Sequence, residues 1–274
     1  MRCTPLLLFL LLALVTRSGT SESHEYWLST NAARCTPGDS IVVRSMVGTG
    51  FRGELKPYTP KRVVRFTFEG ARSLDLAPVG VNGETVWARI TPVDALGAVV
   101  CYESNSTFIE LPSAEFDRYL ALEGLTGPLA ARARVAEAAR PAGRELYRRS
   151  CKTWVPGGDA TRVTRVYGLP LEIVPDVDPA ARARVGLRVL YEGKPLAGAL
   201  VRAWRRAPGA ADADSLGPVA AGRTDARGGL TLNLAGDGRW LVACTHMVPS
   251  SDPAMADWQS TWGSLTFVRA GRTR

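Results

Sequence analysis

Short apolar runs of strand length, separated by turns rich in glycine, proline and aspartate, recur along most of this chain. The run at residues 40–47 follows a turn signal at residues 37–39, and the runs at 185–190 and 199–204 flank a turn at 191–196. Short runs bounded by such turns are typical of antiparallel β-sandwiches. We therefore predict a mainly β protein built from two β-sandwich-like modules.

The stretch from residue 113 to residue 152 departs from this pattern and predicts a helical insert. Ser113 fits a helix N-cap, and the apolar residues that follow it have helical spacing. Pro141 breaks that pattern, and residues 142–152 are expected to resume as a further helix that ends near Cys151.

The change of composition after the insert predicts a division into two domains. The Pro- and Gly-containing segment at residues 156–159 marks the junction. Residues 24–165 are expected to form an N-terminal β-rich domain that carries the insert. Residues 166–274 are expected to form a C-terminal antiparallel β-sandwich.

The first 23 residues have the layout of a secretory signal. Arg2 supplies a positive charge, residues 6–15 are apolar, and Ser21 and Ser23 form a small-x-small cleavage site. Cleavage there makes His24 the first residue of the mature chain and predicts a periplasmic or secreted protein. No later segment approaches the roughly 18 apolar residues that span a bilayer, so no transmembrane segment is expected in the mature chain.

Four cysteines remain after removal of the signal, which contains Cys3. An even number in an exported chain favours two disulfides, with three possible pairings. A thiolate metal ligand is the alternative, although no CxxC pair supports it. The four residues are Cys35, Cys101, Cys151 and Cys244.

Charge and motifs exclude several classes of function. The full chain has a net charge of +8, but its basic residues are scattered, and export makes nucleic acid an improbable partner. No serine nucleophile motif, Walker loop or Rossmann glycine pattern is present. We therefore assign no catalytic or cofactor-binding residue and favour binding over catalysis.

The two histidines are the candidate metal ligands. The amine and imidazole of His24, together with the imidazole of His246, offer three nitrogen donors that suit Cu(II) or Ni(II). Water, Asp257 or Glu25 is the expected fourth ligand. The alternative is that His24 is a frayed terminus and His246 a hydrogen-bonded strand residue.

Tryptophans occur near these candidate ligands. Trp27, Trp258 and Trp262 are close in sequence to one or other of the predicted ligands, and they could form a dry wall beside a metal. Burial in an ordinary core is the alternative and the commoner role for such residues.

Several segments resemble one family of exported bacterial proteins, domain of unknown function 4198, which is associated with nickel uptake. The segments are residues 24–28, 113–151, 168–175, 189–199, 238–242, 246–248 and 257–267. The resemblance implies a periplasmic accessory protein for a divalent metal, with a membrane metal transporter as its partner. It carries over His24 and His246 as ligands and adds Asp257 as a residue of interest.

Three functions are therefore open. The first is binding of nickel, cobalt or copper by an accessory protein for metal uptake or handling. The second is a metal-free carbohydrate-binding or adhesion β-sandwich. The third is a copper-dependent oxidase-like enzyme that uses the N-terminal His24.

Overall fold

The structure, a computed structural model, describes residues 25–210 and 217–270. The predicted signal at residues 1–23 and the candidate ligand His24 lie outside the described residues. Within them the chain is mainly β, as predicted.

Seventeen strands and three α-helices make up the described part of the chain. The strands are β1 (Glu25–Thr30), β2 (Ile41–Thr49), β3 (Arg52–Lys56), β4 (Val63–Glu69), β5 (Ser73–Asp75), β6 (Ala88–Ile90), β7 (Ala98–Ser104), β8 (Thr107–Leu111), β9 (Gly143–Val155), β10 (Leu171–Pro175), β11 (Arg184–Tyr191), β12 (Lys194–Pro195), β13 (Leu200–Arg206), β14 (Ala220–Arg223), β15 (Gly229–Asn233), β16 (Gly238–Pro249) and β17 (Trp258–Arg269). The helices are α1 (Ser113–Leu122), α2 (Thr126–Arg132) and α3 (Thr161–Thr164).

A large sheet of nine strands forms the centre of the fold. Its strands lie in the order β14-β13-β16-β17-β9-β7-β4-β5, and β8 adds to β9. The pairing of β9 with β17 is parallel, with Glu145 opposite Trp258 and Trp154 opposite Phe267. The neighbouring pairs β16–β17 and β7–β9 are antiparallel.

Both faces of the large sheet are buried by smaller sheets. Along β7, Val99 and Cys101 enter one apolar cluster while Val100 and Tyr102 enter another, because successive strand residues point to opposite faces. The sheet of β10, β11, β12 and β15 covers the first face, which we call the back face. The sheet of β1, β2, β3 and β6 covers the second, which we call the front face.

The helical insert also packs on the front face. Phe116 and Leu120 of α1 are buried and share a cluster with Met247 and Trp262 of the large sheet. The insert predicted from residue 113 onward is therefore present, although its α-helices end at Arg132 and only a short 3-10 helix at Glu137–Ala139 follows.

The predicted helix at residues 142–152 is wrong, because these residues belong to β9. This strand is central in the large sheet and pairs with both β7 and β17. Two full ladders of backbone hydrogen bonds and burial on both faces outweigh a local preference for helix. Strand β9 contributes Glu145, Tyr147 and Arg149 to a cleft on the front face of the large sheet.

The large sheet continues across the predicted domain junction. Strands from residues 24–165 and from residues 166–274 meet where β9 pairs with β17. The covering sheets follow the prediction more closely, because each takes its strands from only one half of the chain. Separate folding of the two halves stays a prediction.

The expected disulfides are absent from the described residues, where all four cysteines are buried free thiols. Cys101 belongs to the apolar cluster on the back face, whereas Cys151, which lies opposite Tyr102, belongs to the cluster on the front face. Cys244 shares the back face with Cys101, but β17 and β9 separate their strands. The Cys35 thiol donates to the Asp94 carbonyl, whereas the Cys151 thiol donates to that of Tyr26.

No helix among residues 25–210 and 217–270 is long and apolar enough to cross a bilayer.

Candidate functional site

A cleft of about 770 Å³ opens on the front face of the large sheet. It lies between the β2–β3 hairpin, Tyr119 of α1 and strands β7, β9 and β17. Its size falls within the range of small-molecule sites. We call it the aromatic cleft, and its aromatic lining residues are Tyr26, Trp87, Tyr102, Tyr119, Tyr147 and Trp262.

Stacked rings form two walls of the aromatic cleft. Tyr119 of α1 stacks on Trp262 of β17 with ring centroids 5.7 Å apart and nearly parallel planes. Tyr26 of β1 stacks on Tyr102 of β7 at 6.0 Å, and Trp87 meets Tyr102 edge-on at 5.0 Å. Contacts between rings hold these side chains in fixed orientations, so the walls are formed before a ligand arrives.

Arg149 of β9 lies between these walls. Its guanidinium carbon is 4.7 Å from the Trp262 ring, 4.9 Å from the Tyr147 ring and 5.5 Å from the Tyr26 ring. The Arg149 backbone N–H donates to Ser104 Oγ at 2.9 Å, which fixes the strand at this point. Three cation–π contacts attract the guanidinium to the rings and restrict its orientation.

Glu145 supplies a buried carboxyl group to the aromatic cleft. It accepts hydrogen bonds from the Tyr119 hydroxyl at 3.2 Å and from Ser260 Oγ, which itself accepts from Trp262 Nε1 at 3.1 Å. Burial raises the pKa of Glu145 above its usual range, although these donors oppose the shift. The network links α1, β9 and β17 behind the stacked rings.

The rim of the aromatic cleft is mostly basic. Arg52 and Lys56 come from β3 and Arg62 from the turn that follows it. Arg62 donates to the Ser106 carbonyl at 3.2 Å, and Lys56 lies 3.5 Å from Glu54 in an exposed pair. With Arg149, four basic residues line the cleft against two acidic ones.

Glu25, a predicted metal ligand, anchors the hairpin that borders the aromatic cleft. Its carboxylate accepts from the Gly50 N–H at 3.0 Å, and it lies 3.6 Å from Arg202. Arg202 also pairs with Glu123. Burial raises the pKa of Glu25 to about 7, against the opposing charge of Arg202.

His246 lies on the back face of the large sheet. Its ring meets the Tyr191 ring edge-on at 4.4 Å, and its backbone pairs with Thr261. Its neighbour Thr245 points to the front, where Oγ1 donates to Glu123 at 2.8 Å. His246 therefore faces away from Glu25, and burial lowers the pKa of its imidazole.

Asp257, the third described candidate ligand, is engaged in an ion pair at the start of β17. Its two carboxylate oxygens accept from Arg144 at 2.7 and 3.3 Å. Its backbone N–H donates to the Arg144 carbonyl at 3.0 Å. This bidentate pair fixes the loop before β17 to the beginning of β9.

The structure brings none of the three described candidate ligands together. Within residues 25–210 and 217–270 no group of three or more His, Cys, Asp or Glu residues could hold a metal ion. A metal site shared by His24 and His246 stays a prediction, because His24 lies outside those residues.

The three tryptophans suggested as a wall beside the metal lie in different surroundings. Trp27 is buried against Phe51 at 5.3 Å, as in an ordinary core. Trp258 is half-buried beside the insert. Only Trp262 lines the aromatic cleft.

Sequence reasoning missed the β9 residues of the aromatic cleft. Glu145, Tyr147 and Arg149 alternate with residues that point to the back face, which is the period of a strand. That alternation is the signal in the sequence that distinguishes a strand from the helix predicted at residues 142–152.

Fold and site together define a β-sheet sandwich protein with a preformed aromatic cleft. Comparison with known protein families confirms the family membership that the sequence motifs suggest. The chain belongs to the family described as "Domain of unknown function (DUF4198)", whose model matches residues 21–248.

No curated protein matches the chain. Among solved structures, the "D0-D1 domain of Intimin" is 12% identical, and the alignment covers 90% of this chain and 100% of that one with a TM-score of 0.19. A similarity with so low a TM-score supports no conclusion about the fold or function of this chain.

Proposed function

We propose that this protein is an exported binding protein that holds a carbohydrate in the aromatic cleft without a metal. The observation that carries the proposal is the cleft itself, with stacked rings on two walls and polar groups between them. Export rests on the sequence pattern of residues 1–23.

The composition of the cleft suits sugars. A sugar ring presents apolar C–H faces and a rim of hydroxyl groups. The half-buried Tyr147 offers apolar ring surface and a hydroxyl group to a ligand, and the Trp262 ring beside it holds Tyr119 and Arg149 in place. Thr49, Thr59 and Ser104 add further hydroxyl groups to the lining.

The volume sets the size of the ligand. Sites of several hundred cubic ångströms enclose most of a drug-sized molecule. A cleft of about 770 Å³ therefore has room for an oligosaccharide of two or three sugar units.

The experiment is titration calorimetry of the chain that begins at His24 with a panel of neutral and acidic oligosaccharides. We expect at least one to bind. We expect Tyr147→Ala to weaken that binding about tenfold or more by removing ring surface, and Trp262→Ala to weaken it as much by releasing Tyr119 and Arg149 from their positions.

The matched control is Phe108→Ala. Phe108 is an aromatic residue with 47% of its surface exposed, and it is not part of the cleft lining although it lies on β8 next to the lining residue Ile109. We expect this variant to bind like the parent. Equal binding by all three variants would place the ligand elsewhere, and no binding across the panel would refute the proposal.

Handling of nickel, cobalt or copper remains the second candidate. The sequence resemblance of the segments that begin at His24 and His246 is the motivation for it. It requires the amine and imidazole of His24, and it is compatible with a separate cleft ligand.

A further inference from the structure

We propose that Arg202, which lies outside the aromatic cleft, is a positioning residue that holds the two sides of the cleft at a fixed separation. These sides are the β2–β3 hairpin and the last turns of α1, which carry Tyr119. The inference goes beyond the proposed function, because it concerns the shape of the cleft and does not depend on what the cleft binds. It follows from the contacts that Arg202 makes with Glu25 and Glu123.

The hairpin side of the cleft depends on contacts made at the hairpin tip. Gly50 and Phe51 both have positive φ angles, 62° and 64°, and this conformation is costly for a side chain as large as that of Phe51. The surrounding structure therefore has to hold the tip in place. Phe51 packs against Trp27, and the Gly50 N–H donates to the Glu25 carboxylate at 3.0 Å. The lining residues that this hairpin supplies are Val47, Gly48, Thr49, Arg52, Gly53, Glu54 and Lys56.

The helix side of the cleft is fixed at the C-terminal end of α1. The Glu123 N–H donates to the Tyr119 carbonyl at 3.0 Å, so Glu123 is tied to the turn that carries the Tyr119 ring. The Glu123 carboxylate accepts from Thr245 Oγ1 at 2.8 Å and forms an ion pair with Arg202. Arg202 also donates to the Leu122 carbonyl at 3.4 Å, which suits a cation because the carbonyl end of a helix carries partial negative charge.

Arg202 joins these two sides. Its guanidinium pairs with Glu123 and lies 3.6 Å from Glu25 Oε1, so one side chain contacts both carboxylates. The side chains of Glu25 and Glu123 are only 3% and 1% exposed, and ion pairs buried this well are screened little by salt. The guanidinium also lies 5.2 Å from the Trp204 ring, and its planar fork can donate to two acceptors in fixed directions.

The three charged residues act through other parts of the chain, because none of them lines the cleft. Glu25 determines where the hairpin tip lies, Glu123 determines where the last turns of α1 lie, and Arg202 links the two. A change at Glu25 should therefore reach the Tyr119 side of the cleft through Arg202. Without the guanidinium, the hairpin and α1 should keep their own local contacts and no longer respond to each other.

The test measures hydrogen exchange of single amides by NMR in the ¹⁵N-labelled chain that begins at His24, without a ligand. Glu25→Gln removes the charge on the hairpin side and keeps an oxygen that can accept from Gly50. We expect this variant to speed exchange of the Glu123 amide about threefold or more, since groups in one ion-pair network are energetically coupled. The buried strand amides of Val242 and Leu265 are the reference that corrects for a general loss of stability.

Repeating the substitution without the guanidinium isolates the role of Arg202. In the Arg202→Gln background, we expect Glu25→Gln to change exchange of the Glu123 amide by less than about 1.5-fold. The matched control background is Arg188→Gln, which makes the same change of charge at an exposed position of β11 and should keep the full response. The indole N–H signal of Trp262, which stacks on Tyr119 in the cleft, should shift in Glu25→Gln with the same dependence on Arg202.

Arg202→Lys provides a second background in case Arg202→Gln does not fold. Lysine keeps the positive charge but lacks the planar fork that contacts both carboxylates, so the response of the Glu123 amide should fall by about half or more.

Each outcome decides the role of Arg202. A response of the Glu123 amide that falls when Arg202 is replaced supports the proposal. An unchanged Glu123 amide in Glu25→Gln overturns it, because the two sides of the cleft are then not coupled. A response that persists undiminished without Arg202 also overturns it and assigns the coupling to another contact. Carbohydrate binding is tested separately, so either negative result leaves the proposed function intact.

Discussion

Replacement of Lys152 by Met should destabilise the fold strongly, because Lys152 forms a buried ion pair with Glu172. Lys152 Nζ lies 2.7 Å from Glu172 Oε1, and their side chains are only 2% and 1% exposed. The pair joins β9 of the large sheet to β10 of the back covering sheet. It links the two halves of the chain that the sequence predicts as separate domains.

The magnitude follows from what Lys152→Met leaves behind. The Glu172 carboxylate still accepts the backbone N–H groups of residues 167–169, at 2.8 to 3.2 Å, but it loses the ammonium group of Lys152. Removal of one partner from a buried pair costs about 3–5 kcal/mol. Adding Glu172→Gln removes the uncompensated charge and should recover about 1–2 kcal/mol of that loss.

Urea unfolding followed by circular dichroism measures these changes as differences in the free energy of unfolding. Lys194→Met is the control, since Lys194 is exposed on β12, and its effect should stay within about 0.5 kcal/mol. A loss below about 1 kcal/mol for Lys152→Met would refute the reasoning. So would a double variant less stable than the single one.

Three further predictions concern other buried or N-terminal groups. Because burial raises the pKa of Glu145, its neutral form stabilises the fold at low pH, and this stabilisation is lost as the carboxyl group ionises at higher pH. The unfolding free energy of the parent should therefore fall relative to that of Glu145→Gln as pH rises from 4.5. Parallel plots of unfolding free energy against pH for the two proteins would contradict this. A thiol reagent should react with about four cysteines in the unfolded, unreduced mature chain and with almost none in the native protein. The native thiols are protected because all four are buried, and burial raises the pKa of Cys151 to about 11. Fewer reactive cysteines in the unfolded chain would indicate disulfides. A metal site shared by His24 and His246 predicts that His246→Ala and a one-residue extension before His24 each weaken Ni(II) and Cu(II) binding in calorimetry, and parent-like binding by both would exclude the shared site.

The fold class could be predicted because it depends on local pattern. Alternating short runs and turns indicated a mainly β chain, and the spacing after Ser113 indicated the first helix of the insert. The strand at residues 143–155 could not be recognised in the same way. Its conformation depends on pairing with β7 and β17, which lie far away in sequence.

The candidate site was harder to predict, because its residues come from several distant parts of the chain. Tyr26, Trp87, Tyr119, Arg149 and Trp262 meet only after the large sheet and its covering layers have formed. The sequence singles out Trp262 only as a residue beside the predicted metal site.

The cysteines illustrate the same limit. Their even number suggested disulfides, but the alternation of strand residues places Cys101 and Cys151 on opposite faces. Family membership could be predicted, because it rests on contiguous segments that are visible in the sequence alone.

The most direct test of carbohydrate binding in the aromatic cleft is to observe its tryptophans while a sugar binds. The chain has seven tryptophans, whose indole N–H signals can be followed by NMR in ¹⁵N-labelled protein and assigned with Trp→Phe variants. During titration with the best-binding oligosaccharide, we predict that the signal of Trp262 shifts most, followed by that of Trp87, while Trp27 and Trp240 in the core stay unchanged. Saturable binding that leaves the Trp262 signal in place would contradict the account.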